Sequence, residues 1–155
     1  MSRRSRAREV VLQLLFEDDL NPGHSMVASQ QFLQQRLNQD PVLVEFAAAL
    51  LAGVRRHRPA IDQLLAERAA NWSLRRMAVT DRNVLRLGAY EILHTDIPAR
   101  AAINEAVELA RRFGTHNSGH FVNGILDRFF KDTSRSDTAA TDASATEAAE
   151  PRTSH

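Results

Sequence analysis

The stretch AAINEAVELARRFG, residues 101–114, indicates the fold class of this chain. Its apolar side chains recur every three or four residues, which places them on one face of an α-helix. Gly114 predicts the end of that helix, because glycine readily adopts a positive φ angle at a helix C-terminus. No stretch of the chain shows sustained two-residue alternation rich in β-branched residues, so the sequence predicts an all-α protein. The apolar positions in this stretch are Ile103, Ala106, Val107, Ala110 and Phe113.

The same spacing predicts about seven helices with short connections, the pattern of a helical bundle. The first should run from about Ser5 to Leu20, because the Asn-Pro-Gly sequence at residues 21–23 stops it. Gly88 lies inside the fifth helix, where glycine costs about 1 kcal/mol relative to alanine, and this indicates close helix packing. The other expected boundaries are a second helix over residues 25–39, an N-cap at Asp40, a break at Pro59, a short turn over residues 73–77, an N-cap at Thr80 or Asp81, and an N-cap at Ser118. The inner face of the last helix should carry Val122, Ile125, Leu126 and Phe129.

Length and composition favour one domain without membrane segments. The 155 residues, 43% of them hydrophobic, suit one compact unit. The arginine-rich start, residues 1–9, does not resemble a secretory signal, and the longest apolar run, residues 46–53, is far shorter than the roughly 20 residues that span a bilayer. The chain has no cysteine, which excludes disulfides, a thiolate nucleophile and a Cys-ligated zinc ion. We therefore expect a soluble, cytoplasmic protein that does not associate with membranes.

The end of the chain has a different composition. From Asp132 onward there is no large apolar residue, and a segment of Thr, Ser, Ala, Asp and Glu cannot offset the entropy lost on ordering. We expect residues 1–131 to form one helical domain and residues 132–155 to form a disordered, acidic tail.

Arginines are concentrated at the start of the first helix. Lys131 is the only lysine among the 20 basic residues, and four arginines lie close together as Arg3, Arg4, Arg6 and Arg8. Cations are unfavourable at a helix N-terminus, because the helix dipole favours acidic groups there. The cluster suggests an RNA-binding arm whose charge phosphates neutralise. The alternative is a basic terminus that is merely solvated.

A polar loop, GTHNSGHF at residues 114–121, leads into the last helix. Exposed N–H groups at a helix start can bind a phosphate, polar side chains can add donors, and an aromatic ring can stack on a base. The alternative is a well-capped helix start with Phe121 in the core. His116 and His120 have the spacing of metal ligands, but no glutamate lies between them, so no metal site is predicted. The RNA-binding candidates here are His116, Asn117, Ser118, His120, Phe121 and Asn123.

No catalytic pattern stands out. Glu105 and Glu108 share a helix face, but in an arginine-rich chain surface ion pairing is the simpler explanation. Phosphate-binding glycine loops and the G-x-S-x-G pattern are absent. The sequence predicts neither an enzyme nor a cofactor.

Several motifs in a fixed order resemble one known family. They are RARE at residues 6–9, LLAGV at 50–54, VLR at 84–86, AYE at 89–91, DIP at 96–98, AINEAVELA at 102–110, FG at 113–114 and FVNGILD at 121–127. Together they extend from about Arg3 to Phe130. The sequence is similar to the NusB family of bacterial transcription antitermination factors.

The resemblance implies an all-α fold of two packed helical subdomains and a role in transcription. Family members bind the boxA element of nascent ribosomal RNA transcripts together with NusE, a small-subunit ribosomal protein, and this complex helps RNA polymerase resist termination. The resemblance therefore implies boxA-like single-stranded RNA, a NusE-type protein and the RNA polymerase antitermination complex as partners.

Matching residues in the family also imply where these partners bind. Arg4, Arg6 and Arg8 match the basic arm that meets RNA, and Phe16 occupies a usually aromatic position near that surface, with the loop at residues 116–121 beside it. Asp81 and Arg82 match the region that faces the ribosomal protein, whereas Arg86 and Glu91 should be structural.

Two other functions stay open at this point. Some family members self-associate, so the chain would then be a structural oligomerisation module, such as a homodimer. The same helical domain also occurs fused to RNA methyltransferases, which suggests a helper domain for an RNA-modifying enzyme.

Overall fold

The computed structural model describes residues 2–23, 25–69 and 73–148, and it describes side chains as far as residue 134. Over these residues the chain forms α-helices and one short 3-10 turn, with no strand, which confirms the expected all-α class. The helices are α1 (Arg3–Leu20), α2 (Met26–Arg36), α3 (Pro41–Arg68), α4 (Val79–His94), α5 (Ala99–Phe113) and α6 (Ser118–Ala148), and the 3-10 turn (Leu74–Arg76) lies between α3 and α4.

Two groups of three helices pack against each other. Helices α1, α2 and α3 contact one another, as do α4, α5 and α6, and α4 joins the groups by packing on both α1 and α3. This arrangement agrees with two packed helical subdomains. A single cluster of apolar side chains fills the interior between the helices. The fully buried side chains at its centre include Val10, Val54, Ile61, Leu65, Leu85, Leu126 and Phe129.

Pro59 lies inside α3, so the predicted break between a third and a fourth helix is wrong. Proline lacks the N–H that would bond to the carbonyl four residues earlier, and in a helix interior this costs about 3 kcal/mol. Val54 before the proline and Ile61 after it are both fully buried. Because the core packs against α3 on both sides of Pro59, burial offsets the cost and the helix continues.

The helix starts are capped in different ways. Asp40 caps α3 as predicted, and its carboxylate accepts from two N–H groups of the first turn. Helix α4 begins at Val79 without a side-chain cap, so Thr80 and Asp81 are not the predicted N-cap; Asp81 lies within the first turn, where its charge suits the helix dipole. Ser118 is the first residue of α6, and its hydroxyl accepts from the preceding loop instead of from the helix.

Two glycines permit close contacts. A Cβ atom at Gly88 would lie 2.7 Å from Cδ1 of Leu126, which confirms the predicted close packing of α4. Gly114 follows the end of α5 as predicted, but its φ angle is −96°, not positive. Glycine is needed there for space, because a Cβ atom would lie 2.4 Å from Oγ of Ser118.

The predicted apolar faces are mostly confirmed. All four inner positions of the last helix are buried. On α5, Ile103, Ala106 and Ala110 are buried, whereas Phe113 is 44% exposed, so its predicted inward position is wrong. Phe113 is the final residue of α5, where the chain turns away from the core through Gly114.

Helix α6 continues to Ala148, past the point at Asp132 where the composition predicts a tail. The segment contains several alanines, which have the highest helix propensity. The division into a domain over residues 1–131 and a tail over residues 132–155 stays a prediction, and residues 149–155 lie outside the described residues. Among the described helices, none is both long and apolar enough to span a membrane.

Candidate nucleic-acid interface

The first turn of α1 carries the predicted basic arm on the protein surface. The helix begins at Arg3, and the hydroxyl of Ser2 caps it by accepting from a first-turn N–H at 3.1 Å. Arg3 pairs with Asp40, and its side chain is 74% exposed. Arg4 is also exposed, and its guanidinium lies 4.9 Å from the centre of the Phe46 ring. Two arginines therefore reach solvent from one capped turn.

A groove opens beside this turn. It has a volume of about 610 Å³, and the residues lining it include Arg4, Phe46, Tyr90 and Pro98. Its cationic, aromatic and apolar groups are those that bind unstacked nucleotide bases, and two acidic residues, Asp96 and Glu105, also line it.

Arg6 leads from the arm toward α5. Its side chain is 49% exposed and donates to Glu9 at 3.0 Å. The carboxylate of Glu9 is buried, and it also pairs with Arg112 in the last turn of α5. One buried carboxylate therefore holds two partly exposed arginines, from two different helices, next to each other.

Arg8 lies one turn beyond Arg4 on α1, but it is buried. Its guanidinium donates twice to Glu91 of α4, at 2.7 and 2.9 Å, and lies 3.7 Å from Glu105. The hydroxyl of Ser5 also donates to Glu105, at 2.8 Å. A guanidinium occupied in this way is not presented to a nucleic acid, so its position argues against the predicted contact between Arg8 and RNA. Arg8 instead anchors the arm to the core, and Glu91 has the structural role expected of it.

The loop between α5 and α6, together with the first turns of α6, presents most of the predicted polar side chains. Ser118 differs, because it is buried and its hydroxyl accepts from the N–H of Thr115 at 2.9 Å, so it shapes the loop. Phe121 is half-buried, between the stacking position and the core position that the sequence left open. The exposed candidates are His116, Asn117, His120 and Asn123.

Phe16 lies on the same helix as the arm but far from it. The ring is 41% exposed. At 1.5 Å per residue, Phe16 lies about 20 Å along the helix axis from Arg3. The surface that carries all of the predicted RNA-binding residues is therefore long.

The region predicted to face the ribosomal protein lies at the start of α4. Arg82 is half-buried, and it donates to Asp19 and to the carbonyl of Leu74, each at 3.2 Å. Asp81 is also half-buried, and one of its carboxylate oxygens is buried without a donor from the part of the chain that the structure describes. Asp81 is thus the member of the pair with unused hydrogen-bonding capacity.

Asp19 holds the start of α4 against α1 and α3. Burial alone would raise the pKa of Asp19, but a hydrogen bond from Asn83 and the positive charges of Arg86, Arg58 and Arg82 together hold that pKa below its ordinary value. The guanidinium of Arg86 is buried between this carboxylate and that of Asp62 on α3. Arg86 is therefore structural, as expected.

Sequence reasoning missed three residues at the end of α5. Arg111 is exposed, Arg112 pairs with Glu9, and Phe113 projects into solvent beneath the Arg112 guanidinium, whose central carbon lies 5.4 Å from the ring centre. Arginines in the last turn of a helix are expected from the helix dipole, so Arg111 and Arg112 do not by themselves indicate a binding site. The helical spacing predicts Phe113 to face the core, so it does not indicate one either. The signal that was available is a basic pair followed by an aromatic residue directly before the polar loop.

The fold and the surface together define the class of protein, an all-α helical domain that presents a cationic face. The family model described as the NusB family matches residues 5–131. The chain therefore belongs to the NusB family.

Individual relatives agree with this assignment. The transcription antitermination protein NusB of Anaeromyxobacter dehalogenans (strain 2CP-1 / ATCC BAA-258) is 42% identical over 127 residues, which cover 82% of this chain and 89% of that protein. The solved structure of T. maritima NusB superposes with a TM-score of 0.74 at 41% identity and covers 84% of this chain and 92% of that one. A crystal structure of antitermination factors NusB and NusE in complex with double-stranded RNA matches with a TM-score of 0.75 at 25% identity, covering 85% of this chain and 98% of that chain.

Proposed function

We propose that this protein is a transcription antitermination factor. It binds the boxA RNA of nascent ribosomal RNA transcripts together with a NusE-type small-subunit ribosomal protein, and the assembly helps RNA polymerase resist termination. The observation that carries the proposal is the capped first turn of α1, which presents Arg3 and Arg4 to solvent in a chain of the NusB family.

The anchoring of this turn explains how it would bind RNA. Because Arg8 is fixed to Glu91 and Ser5 to Glu105, the backbone of the arm is held on the core before any ligand arrives. Arg3, Arg4 and Arg6 then contact phosphates, and each contact releases counterions, so affinity falls with salt. Phe16, His116, Asn117, His120, Phe121 and Asn123 extend the same surface, with Ser118 supporting the loop from within.

The RNA in the related NusB and NusE complex is double-stranded. For this chain we propose that unpaired bases supply the specificity, because exposed aromatic rings and arginine planes stack on bases that are not already paired. We propose that half-buried Asp81, in the first turn of α4, faces the ribosomal protein, and that Arg82 supports this turn through its hydrogen bond to Asp19.

We propose that the protein acts by binding its partners and does not catalyse a reaction. Its proposed location is the cytoplasm. Of the two acidic residues that share a face of α5, Glu105 is engaged in the fold by accepting a hydrogen bond from Ser5, and Glu108 is exposed.

Fluorescence anisotropy with a labelled boxA-like single-stranded RNA tests the proposal, with and without the NusE-type protein. We expect the partner to tighten binding, and we expect an Arg4→Ala/Arg6→Ala variant to bind more weakly in both states. Arg56→Ala is the matched control, because Arg56 is exposed on α3 and should leave the affinity unchanged.

Two results would reject the proposal. One is the absence of RNA binding in both states. The other is a dimer in size-exclusion chromatography that persists when RNA or the ribosomal protein is added. That result would favour the oligomerisation module. A duplex of the same sequence that binds as tightly as the single strand would reject recognition through unpaired bases.

A further inference from the structure

We infer that the end of α5, Arg111 with Arg112 and Phe113, is a third RNA-binding segment that joins the arm of α1 to the loop before α6. The inference rests on the proposed function and extends it to residues that the predicted RNA-binding site does not include. Its ligand is the sugar–phosphate backbone and an unstacked base of the same single-stranded RNA.

The first link is the Glu9 carboxylate between α1 and α5. Glu9 is 4% exposed, whereas the side chains of its two partners, Arg6 and Arg112, are 49% and 37% exposed. A carboxylate buried between two guanidinium groups neutralises part of their mutual repulsion and fixes their positions. Both side chains stay partly exposed, so the cationic surface of the arm continues onto α5.

The second link is the contact between α5 and the first turn of α6. A Cβ atom at Gly119 would lie 2.9 Å from Cγ and 3.2 Å from Nε of Arg111, so the Arg111 side chain lies directly across this glycine. The residue is exposed, and no carboxylate of the described residues pairs with it. Arg111 therefore places an uncompensated positive charge next to the first turn of α6, which carries His120.

The third observation is the exposed ring of Phe113. It is the last residue of α5, 44% exposed, and the guanidinium of Arg112 lies over it. An aromatic ring that stays in water beside a fixed cation offers a stacking surface for a base, and stacking on aromatic rings tolerates any base. An aromatic ring with basic groups on both sides of it is typical of surfaces that bind single-stranded nucleic acid.

Acidic groups also border this segment. Glu9 and Glu105 are held by arginine and serine partners, but Glu108 is exposed and shares a cleft with Arg112. The negative charge of Glu108 should weaken phosphate binding. Neutralising Glu108 should therefore raise the affinity for RNA, whereas removing an arginine should lower it. This opposite sign distinguishes a contribution to RNA binding from general damage to the fold.

The test uses the full chain and the boxA-like single-stranded RNA, with binding measured over a range of salt concentrations. Arg111→Ala should weaken binding roughly two- to fivefold at low salt, the effect of one exposed ion contact, and should lower the slope of log K against log salt by about 0.7. Arg56→Ala is the control for charge. Glu108→Gln should tighten binding by a similar factor, with Glu67→Gln at the end of α3 as its control.

Gly119→Ala supplies a variant without any change of charge. The new methyl group would displace the Arg111 side chain, while alanine in a helix is at least as stable as glycine. We expect weaker RNA binding with an undiminished unfolding midpoint. For stacking, Phe113→Leu should weaken binding and Phe113→Tyr should retain it.

The outcomes separate the two claims. If the wild-type protein does not bind the RNA, the proposed function fails. If wild-type protein binds and Arg4→Ala/Arg6→Ala is weakened, but Arg111→Ala and Gly119→Ala bind like Arg56→Ala, the proposed function stands and the α5 segment is overturned.

Discussion

Arg4 and Arg8 lie one turn apart on α1, yet they occupy opposite environments. Arg4 is exposed above the ring of Phe46, while Arg8 is buried and donates twice to Glu91. The difference lies in what α1 packs against. Both side chains line the groove beside Phe46, but Arg8 also reaches the buried carboxylate of Glu91 that α4 supplies.

This comparison shows that arginine content alone does not locate a nucleic-acid surface. Three arginines, Arg58, Arg82 and Arg86, pair with Asp19, but the guanidinium groups of this Asp19 cluster hold α1, α3 and α4 together. The arginines proposed to bind RNA are those that keep exposed N–H groups, and the buried ones give those residues a rigid base.

Replacing Arg8 should give the largest loss of stability. Arg8→Ala leaves Glu91 buried without its partner, and breaking a buried ion pair costs about 3–5 kcal/mol. Urea unfolding should show this loss. Arg4→Ala is the control one turn earlier, and it should change stability by less than about 0.5 kcal/mol. A variant at Arg8 that keeps its stability and loses RNA binding would show that Arg8 contacts RNA after all.

A smaller effect should follow from Asp19→Asn, which weakens the pairs with Arg58, Arg82 and Arg86 and costs about 1–3 kcal/mol near neutral pH. The pKa of Asp19 is lowered in the folded protein, so its ionised form stabilises the fold above the pKa of the unfolded chain. That stability is lost as pH falls through the lower, folded pKa.

Unfolding free energies measured from about pH 5 downward check this pH dependence. The wild type should lose more stability than Asp19→Asn over this range. Curves that stay parallel would show that the cluster does not depend on the charge of Asp19. RNA binding measured at neutral pH, on protein that is still folded, should be the same for both.

Much of the fold could be predicted because helical spacing is local. The inner faces of α5 and α6 follow from spacing alone, except for Phe113. The break expected at Pro59 fails because the deciding contacts, those of Val54 and Ile61 with the core, come from other helices. Local rules give the cost of proline but not the burial that offsets it.

The candidate site was predictable only in part for the same reason. The sequence identifies four arginines, but Arg4 and Arg8 are separated by four residues and look alike on a helix. Only the packing of α1 against α4 shows which of them meets Glu91. Phe113 and Arg111 were missed because their exposure depends on how α5 ends against α6.

The most direct test of this division between exposed and buried arginines is the salt dependence of RNA binding. We would compare wild type with Arg4→Ala/Arg6→Ala after confirming by circular dichroism that both are folded. Two lost phosphate contacts should lower the slope of log K against log salt by about 1.4 for single-stranded RNA. An unchanged slope would mean that the exposed turn of α1 does not contact RNA, and it would contradict the proposed interface.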